Sequence, residues 1–153
     1  MYIEYLDYIP PIPEELLDSV EDILTVLPKL PSPIRAEYKG FQTRVVNFKL
    51  FNWLQDHFDF TIKCQYQIIH PSLIIHKDTG RTVAYNYLLA QGGPDVKTNI
   101  YSDDFETTYN ILQSEIIPLK KWHRIDVSMF HGVHGINKET LRVALSVVPM
   151  PTL

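Results

Sequence analysis

At 153 residues the chain can fill one hydrophobic core and is short for two. Its 45% hydrophobic and 21% charged content is that of an ordinary globular protein, and a net charge of −4 without a basic patch gives no footing for a nucleic-acid partner. A single cysteine, Cys64, excludes an internal disulfide and a multi-cysteine zinc site; with no basic, then apolar, leader over residues 1–13 and no membrane-length apolar run, the expectation is a cytoplasmic, reducing setting and no membrane.

The first third is punctuated by proline (Pro10, Pro11, Pro13, Pro28, Pro31 and Pro33), which argues for an irregular, wrapped N-terminal region. Two helices are expected there. The first opens at Pro13-Glu14-Glu15, where proline and acids suit a helix start, and continues through Leu16, Leu17, Val20, Ile23, Leu24 and Leu27 until Pro28 stops it. The second runs from an Asn47 cap to His57, with Phe48, Phe51, Trp53, Leu54 and Phe58 as a bulky apolar face.

From Phe60 the texture turns to β. Segments 61–69, 72–76, 82–89, 96–101, 111–119, 122–128, 130–136 and 141–148 are short, rich in Val, Ile, Tyr and Thr, and separated by turn residues such as Asp78-Thr79-Gly80 and Gln91-Gly92-Gly93-Pro94. This pattern predicts a mainly β protein, an antiparallel jelly roll or barrel with the two helices on one outer face. We expect a single domain over 1–153, with 1–59 as helical and irregular support and 60–148 as the β core. The most polar loop, 101–109, is a candidate lid, and its acids Asp103, Asp104 and Glu106 are either a solvated acidic loop, the reading favoured by about two to one, or a hint at a cationic or amine-bearing substrate.

His76-Lys77-Asp78 is the sharpest chemical feature. On extended backbone, residues i and i+2 point the same way, so an imidazole and a carboxylate can meet one divalent ion. The C-terminal third adds His131 and His134 in an apolar strand and Arg142 on the next. An arginine in so apolar a strand needs an anionic partner, either an internal acid or a bound carboxylate. His131 and His134, three apart, should face opposite sides of their strand. His123, between Lys121-Trp122 and Arg124, is expected to be exposed. His57 and His70 are expected to be structural or solvated.

The order His76-x-Asp78, about fifty residues, His131-x-Val133-x-x-Ile136, then Arg142 on the following strand resembles the 2-oxoglutarate/Fe(II)-dependent oxygenases of the double-stranded β-helix (cupin-like) fold. The likeness spans residues 61–147 and is nearest to small phage-type and aspartyl/asparaginyl hydroxylase-like members. It implies His76, Asp78 and His131 as Fe(II) ligands, with His134 at the surface or rim. It also implies Arg142 as the clamp on the far carboxylate of 2-oxoglutarate, and hydroxylation of a C–H bond in an amino acid, peptide side chain or small metabolite.

Two departures from the family stand out: Ala144 replaces the serine that often follows the arginine, with Ser146 two residues further on, and His134 replaces a polar residue such as asparagine. Tyr66, Gln65 and Gln67 lie where the family reaches its cosubstrate, Tyr66 on one face and the glutamines on the other, with the inward face open. Asn86 is either part of the site or a hydrogen-bonded core residue. Thr98 and Tyr101 are further candidates for the cavity wall, and Tyr85, Tyr87, Tyr101 and Tyr109 read as core aromatics. Two rival readings remain, a cupin-like metal enzyme without 2-oxoglutarate and a non-catalytic jelly-roll interaction module.

Overall fold

The computed structural model describes residues 1–28, 40–102, 110–137 and 139–150. Among these residues, ten strands form two antiparallel sheets: β1 (Ile3–Tyr5), β2 (Phe41–Arg44), β3 (Ile62–Ile69), β4 (Leu73–His76), β5 (Val83–Ala90), β6 (Lys97–Tyr101), β7 (Ile111–Glu115), β8 (His123–Asp126), β9 (Phe130–His134) and β10 (Arg142–Pro149). The larger sheet has the order β1-β8-β5-β10-β3-β2 and the smaller β4-β9-β6-β7. Successive strands from β3 to β9 largely cross between the sheets, which makes the fold a jelly roll, or double-stranded β-helix, of the cupin type.

Two of these strands, β1 and β2, lie in the region expected to be only helical and irregular. They extend the larger sheet at its two edges, pairing with β8 and β3. The first helix is also shorter than expected. Glu14–Leu16 is a single 3-10 turn, Leu17 is extended, and α1 (Val20–Thr25) starts instead at Ser19, whose hydroxyl accepts from the Asp22 amide at 3.1 Å. α2 (Phe48–Asp56) is capped as expected, the Asn47 side chain accepting from the Leu50 amide at 2.9 Å.

Strand alternation sorts β3, β5 and β10 into two faces. Outward residues Tyr66, Tyr87, Leu145 and Val147 meet Ile23, Leu50 and Leu54 of the helices, with Trp122 and the wrapped N-terminal residues Leu6, Ile9 and Ile12. The Trp122 indole donates to the Pro10 carbonyl at 3.0 Å, so the proline-rich segment is tied into this layer. Inward residues Ala84, Leu88, Ala144 and Val148 meet Ile100, Ile117, Ile125 and Val127 between the sheets. A third apolar group, Ile69, Val96, Val133 and Ile136, closes the end of the barrel beside Arg142. Cys64 lies on the helix side, and burial pushes its thiol pKa up to about 11. Among the described residues, no helix is long and apolar enough to cross a membrane.

Candidate metal centre

β4 and β9 run side by side in the smaller sheet, with Leu73 opposite Val133 and His76 opposite His131. Three residues on β4 therefore match two on β9, so β4 carries a bulge. Without it, Leu73 and His76 would face opposite sides; with it, both point between the sheets. Gly132 permits the close approach of β9, because a Cβ there would stand 2.9 Å from the Leu73 carbonyl oxygen.

His76, Asp78 and His131 come together at this point, each offering a ligand atom within 4.8 Å of the others. His76 Nε2 lies 3.4 Å and His131 Nε2 3.5 Å from the same atom, Asp78 Oδ1. The two rings stand 4.3 Å apart between centroids. Each Nδ1 faces a backbone carbonyl, Ile74 at 2.7 Å and Met129 at 2.8 Å. A carbonyl only accepts, so the proton of each neutral ring sits on Nδ1 and the Nε2 lone pairs converge. Asp78 is placed by its own amide, which donates to the Val127 carbonyl at 2.9 Å, and Arg81 Nε lies 3.5 Å from its second oxygen. Two imidazoles and one carboxylate converging this way fit a divalent metal ion with open positions left over.

Burial opposes ionisation of both partners, yet the contacts prevail. In the metal-free protein, Nε2–H contacts from the two histidines, with the Arg81 charge nearby, hold the Asp78 carboxyl well below the usual carboxylate range. The Asp78 contact, helped by the Ile74 carbonyl, raises the His76 pKa above its ordinary value.

Arg142 points inward from the start of β10 and is 5% exposed. Its guanidinium donates to the Gln91 carbonyl at 3.1 Å and the Thr98 hydroxyl at 3.3 Å, both neutral. No ion pair to a carboxylate is formed among the described residues, and burial pushes its pKa down to about 10. Gly92, at φ +85°, makes room for it: a Cβ there would sit 3.3 Å from Arg142 Cβ. Thr98 is two residues along β6 from Ile100, which is opposite His131. The guanidinium and the histidine cluster are thus offset by about one strand repeat, roughly 7 Å along the barrel.

Gln67, Asn86 and Ser146 also face inward, on the face of Ala144 and Leu88. Tyr66 does not join them. It lies on the helix side, 0% exposed, where its hydroxyl donates to Asp18 Oδ2 at 3.0 Å and accepts from the Asp18 amide at 3.2 Å. Thr98 lines the inner face against Arg142, whereas Tyr101 lies on the outer face of the smaller sheet, its hydroxyl accepting from Asn99. Tyr85 and Tyr87 belong to the helix-side core, and Tyr109 lies outside the described residues, as does most of the acidic loop.

Among the remaining histidines, His134 faces outward against Tyr101, and its Nε2 is buried without a hydrogen-bond partner. His57 donates from Nδ1 to the Trp53 carbonyl at 2.7 Å, and His70 Nδ1 faces the Thr140 carbonyl at 2.8 Å. His123, expected to be exposed, is 4% exposed and points between the sheets. Flanking charges misled the reading: on a strand, Arg124 takes the solvent side and leaves His123 the inner one. Only strand parity could have signalled it.

The fold and this cluster define a jelly-roll protein with a built His-Asp-His candidate metal centre. The sequence matches no family model and no curated protein. Among solved structures it is similar to an oxidoreductase of the 2OG-Fe(II) oxygenase family from Burkholderia pseudomallei, with a TM-score of 0.51, 11% identity, and coverage of 84% of this chain and 76% of that one. It is also similar to oxalate decarboxylase from Bacillus subtilis at pH 4.6, with a TM-score of 0.47, 14% identity, and coverage of 78% of this chain and 28% of that one. The chain therefore spans under a third of the decarboxylase. At 11% identity the first likeness is one of fold.

Proposed function

We propose that the protein is a 2-oxoglutarate- and Fe(II)-dependent oxygenase that hydroxylates a C–H bond of an amino acid, peptide side chain or small metabolite. One observation carries this reading. A His-Asp-His cluster and a buried arginine without a carboxylate partner among the described residues face the same interior, about one strand repeat apart.

In this reading His76, Asp78 and His131 hold iron(II), and the bound metal with 2-oxoglutarate and dioxygen supplies the oxidising power, giving succinate and carbon dioxide. The chain's own part is positional. The Ile74 and Met129 carbonyls fix both imidazoles in the Nε2-binding tautomer, and Arg81 steadies the free oxygen of Asp78. Gln91 and Thr98 aim the Arg142 fork at the distal carboxylate of the cosubstrate. Ile69, Val96 and Val133 exclude water from that end.

The test is succinate formation from 2-oxoglutarate with iron(II), across a panel of candidate substrates, comparing wild type with His76→Ala. Turnover by wild type and none by the variant is expected. A second reading, a cupin-type metal enzyme without 2-oxoglutarate, draws on the neutral satisfaction of Arg142 by Gln91 and Thr98. It predicts metal binding without any response to 2-oxoglutarate.

A further inference from the structure

β7 ends the smaller sheet: it pairs with β6 on one side, and among the described residues no strand lies on its other side. Its register with β6 shifts between Ile100 and Tyr101, which leaves Gln113, Ser114 and Glu115 as the regular stretch, opposite Ile100, Asn99 and Thr98. Strand alternation then sorts the side chains. Gln113 and Glu115 face between the sheets with Ile100 and Thr98. Ser114 faces outward, Leu112 and Ile116 take the same side two places before and after it, and Ile111 is opposite the outward Tyr101.

That outer side is apolar and open. Ile111, Leu112 and Ile116 are 58%, 44% and 48% exposed. The Ser114 hydroxyl is already engaged within the sheet, donating to Asn99 Oδ1 at 2.6 Å. Glu115, the charge of the strand, is turned into its own barrel, where it accepts from the Gln113 amide at 3.2 Å. An edge strand offers unpaired N–H and C=O groups to any other strand, and outward charge or proline is a common guard against this. The outer side of β7 carries neither. The neighbouring edge of the larger sheet differs, because β1 is closed by the Gln113 side chain at the Tyr2 and Ile3 amides and the Ile3 carbonyl.

The pattern of β7 itself points to the occupant. Pairing it antiparallel with its own copy about Ser114 sets Leu112 opposite the partner's Ile116, and Ile116 opposite the partner's Leu112, so apolar side chains meet across the seam. On the inner face it sets Gln113 opposite the partner's Glu115, an amide against a carboxylate. Moving the centre to Glu115 would stack like charges, and moving it to Gln113 would set Ile111 against the partner's Glu115. Two copies with a net charge of −4 each repel one another, so an uncharged seam is where they can meet.

We propose that two copies of this chain join along β7, antiparallel and centred on Ser114, so that their four-stranded sheets become one continuous sheet. A two-fold pairing of this kind is closed and stops at two. A seam of one strand pair falls at the small end of protein interfaces, below about 1,200 Å², so the dimer is reversible and concentration-dependent. Each metal cluster stays inside its own barrel, and the proposal stands apart from the oxygenase reading.

Sedimentation velocity of the full chain over a range of concentrations tests the proposal, beside a cross-link. Wild type should pass from the single to the double mass as concentration rises. Leu112→Glu and Ile116→Glu, both at exposed positions, should each hold the chain at the single mass with an unchanged circular dichroism spectrum. In a Cys64→Ala background, Ser114→Cys should give a disulfide-linked dimer on mild oxidation, because directly opposite residues lie about 4.5–5.5 Å apart between Cα atoms. Ile111→Cys in the same background should not, since the two copies of position 111 stand about 20 Å apart in this register. A wild type that keeps the single mass at every concentration overturns the proposal and leaves the edge to a strand of another protein. A dimer that survives both glutamate variants, or cross-linking as efficient at 111 as at 114, overturns it as well.

Discussion

His76 and His131 are held alike: each Nδ1 faces the carbonyl two residues earlier in the chain, Ile74 at 2.7 Å and Met129 at 2.8 Å, while both Nε2 atoms turn to Asp78 Oδ1. Two strands of different local geometry, one bulged and one regular, thus deliver the same tautomer to one point. Replacing either histidine by alanine should lower manganese(II) affinity by about 100-fold or more, at or beyond the top of the range seen for outer-shell changes. Electron paramagnetic resonance of free manganese reads this directly, and an affinity unchanged in both variants rules out the site.

The same cluster sets a pH dependence. Burial disfavours the His76 cation, but Asp78 and the Ile74 carbonyl outweigh it and raise its pKa. The folded pKa thus exceeds the unfolded value of about 6.5. The metal-free protein holds this contribution fully below that value and loses it as pH rises through the folded pKa. Metal needs the neutral ring, so its stabilisation runs the other way. Manganese(II) should raise the thermal midpoint more at pH 8 than at pH 6, and the reverse order in a melting series counts against His76 as a ligand.

Arg142 separates stability from cosubstrate binding. Among the described residues its buried charge meets only Gln91 and Thr98, so Arg142→Met should leave the ligand-free protein unchanged or more stable, by up to a few (about 1–4) kcal/mol. Loss of one member of a buried charge pair costs about 2–5 kcal/mol of binding. The KM for 2-oxoglutarate should therefore rise by roughly 30-fold or more while unfolding in urea shows no penalty. A variant that unfolds readily and keeps its KM would make Arg142 purely structural.

Tyr66 gives the opposite pattern. Its hydroxyl is engaged with Asp18 on the helix side, so Tyr66→Phe should cost about 1 kcal/mol of stability and leave succinate formation untouched. Urea denaturation beside the turnover assay tests both halves. A KM effect on 2-oxoglutarate would contradict the placement of this ring.

Cys64 offers a probe of the helix-side layer. With its thiol pKa pushed up to about 11 by burial, the thiolate fraction at pH 8 is on the order of one in a thousand, against about one in four for an ordinary thiol. Alkylation by iodoacetamide in the native protein should be roughly 200-fold slower than in urea. Equal rates would mean that the helices leave this face open.

The cluster was legible because its parts are local or obey strand parity. His76 and Asp78 share a short segment, His131 and His134 must diverge, and Arg142 stands out in an apolar run. The long strands declared themselves through Val, Ile and Tyr. β1 and β2 did not, being three and four residues long and specified by pairing with β8 and β3 rather than by their own pattern. The inward face of β3 depended on which side the helices cover, and that is a tertiary fact. The early helix failed locally, because Ser19 offers a better cap than Pro13 and the chain extends at Leu17 between them.

The Gln113 amide ties the two sheets together along one flank. On β7, it accepts from the Tyr2 and Ile3 amides at 2.9 Å and donates to the Ile3 carbonyl at 3.0 Å, standing in for a strand beside β1. The two sheets are therefore laced together along that flank by a side chain doing the job of backbone. On the opposite flank, β3 passes to β4 through residues 70–72, at the end of the barrel away from Lys63 and Arg81. The molecule is fastened on one side and joined at one corner on the other, so the two sheets are freer to part beside Lys63 and Arg81 than beside Ile3. Breathing of the barrel, read by amide exchange, should be greatest there and least beside Ile3.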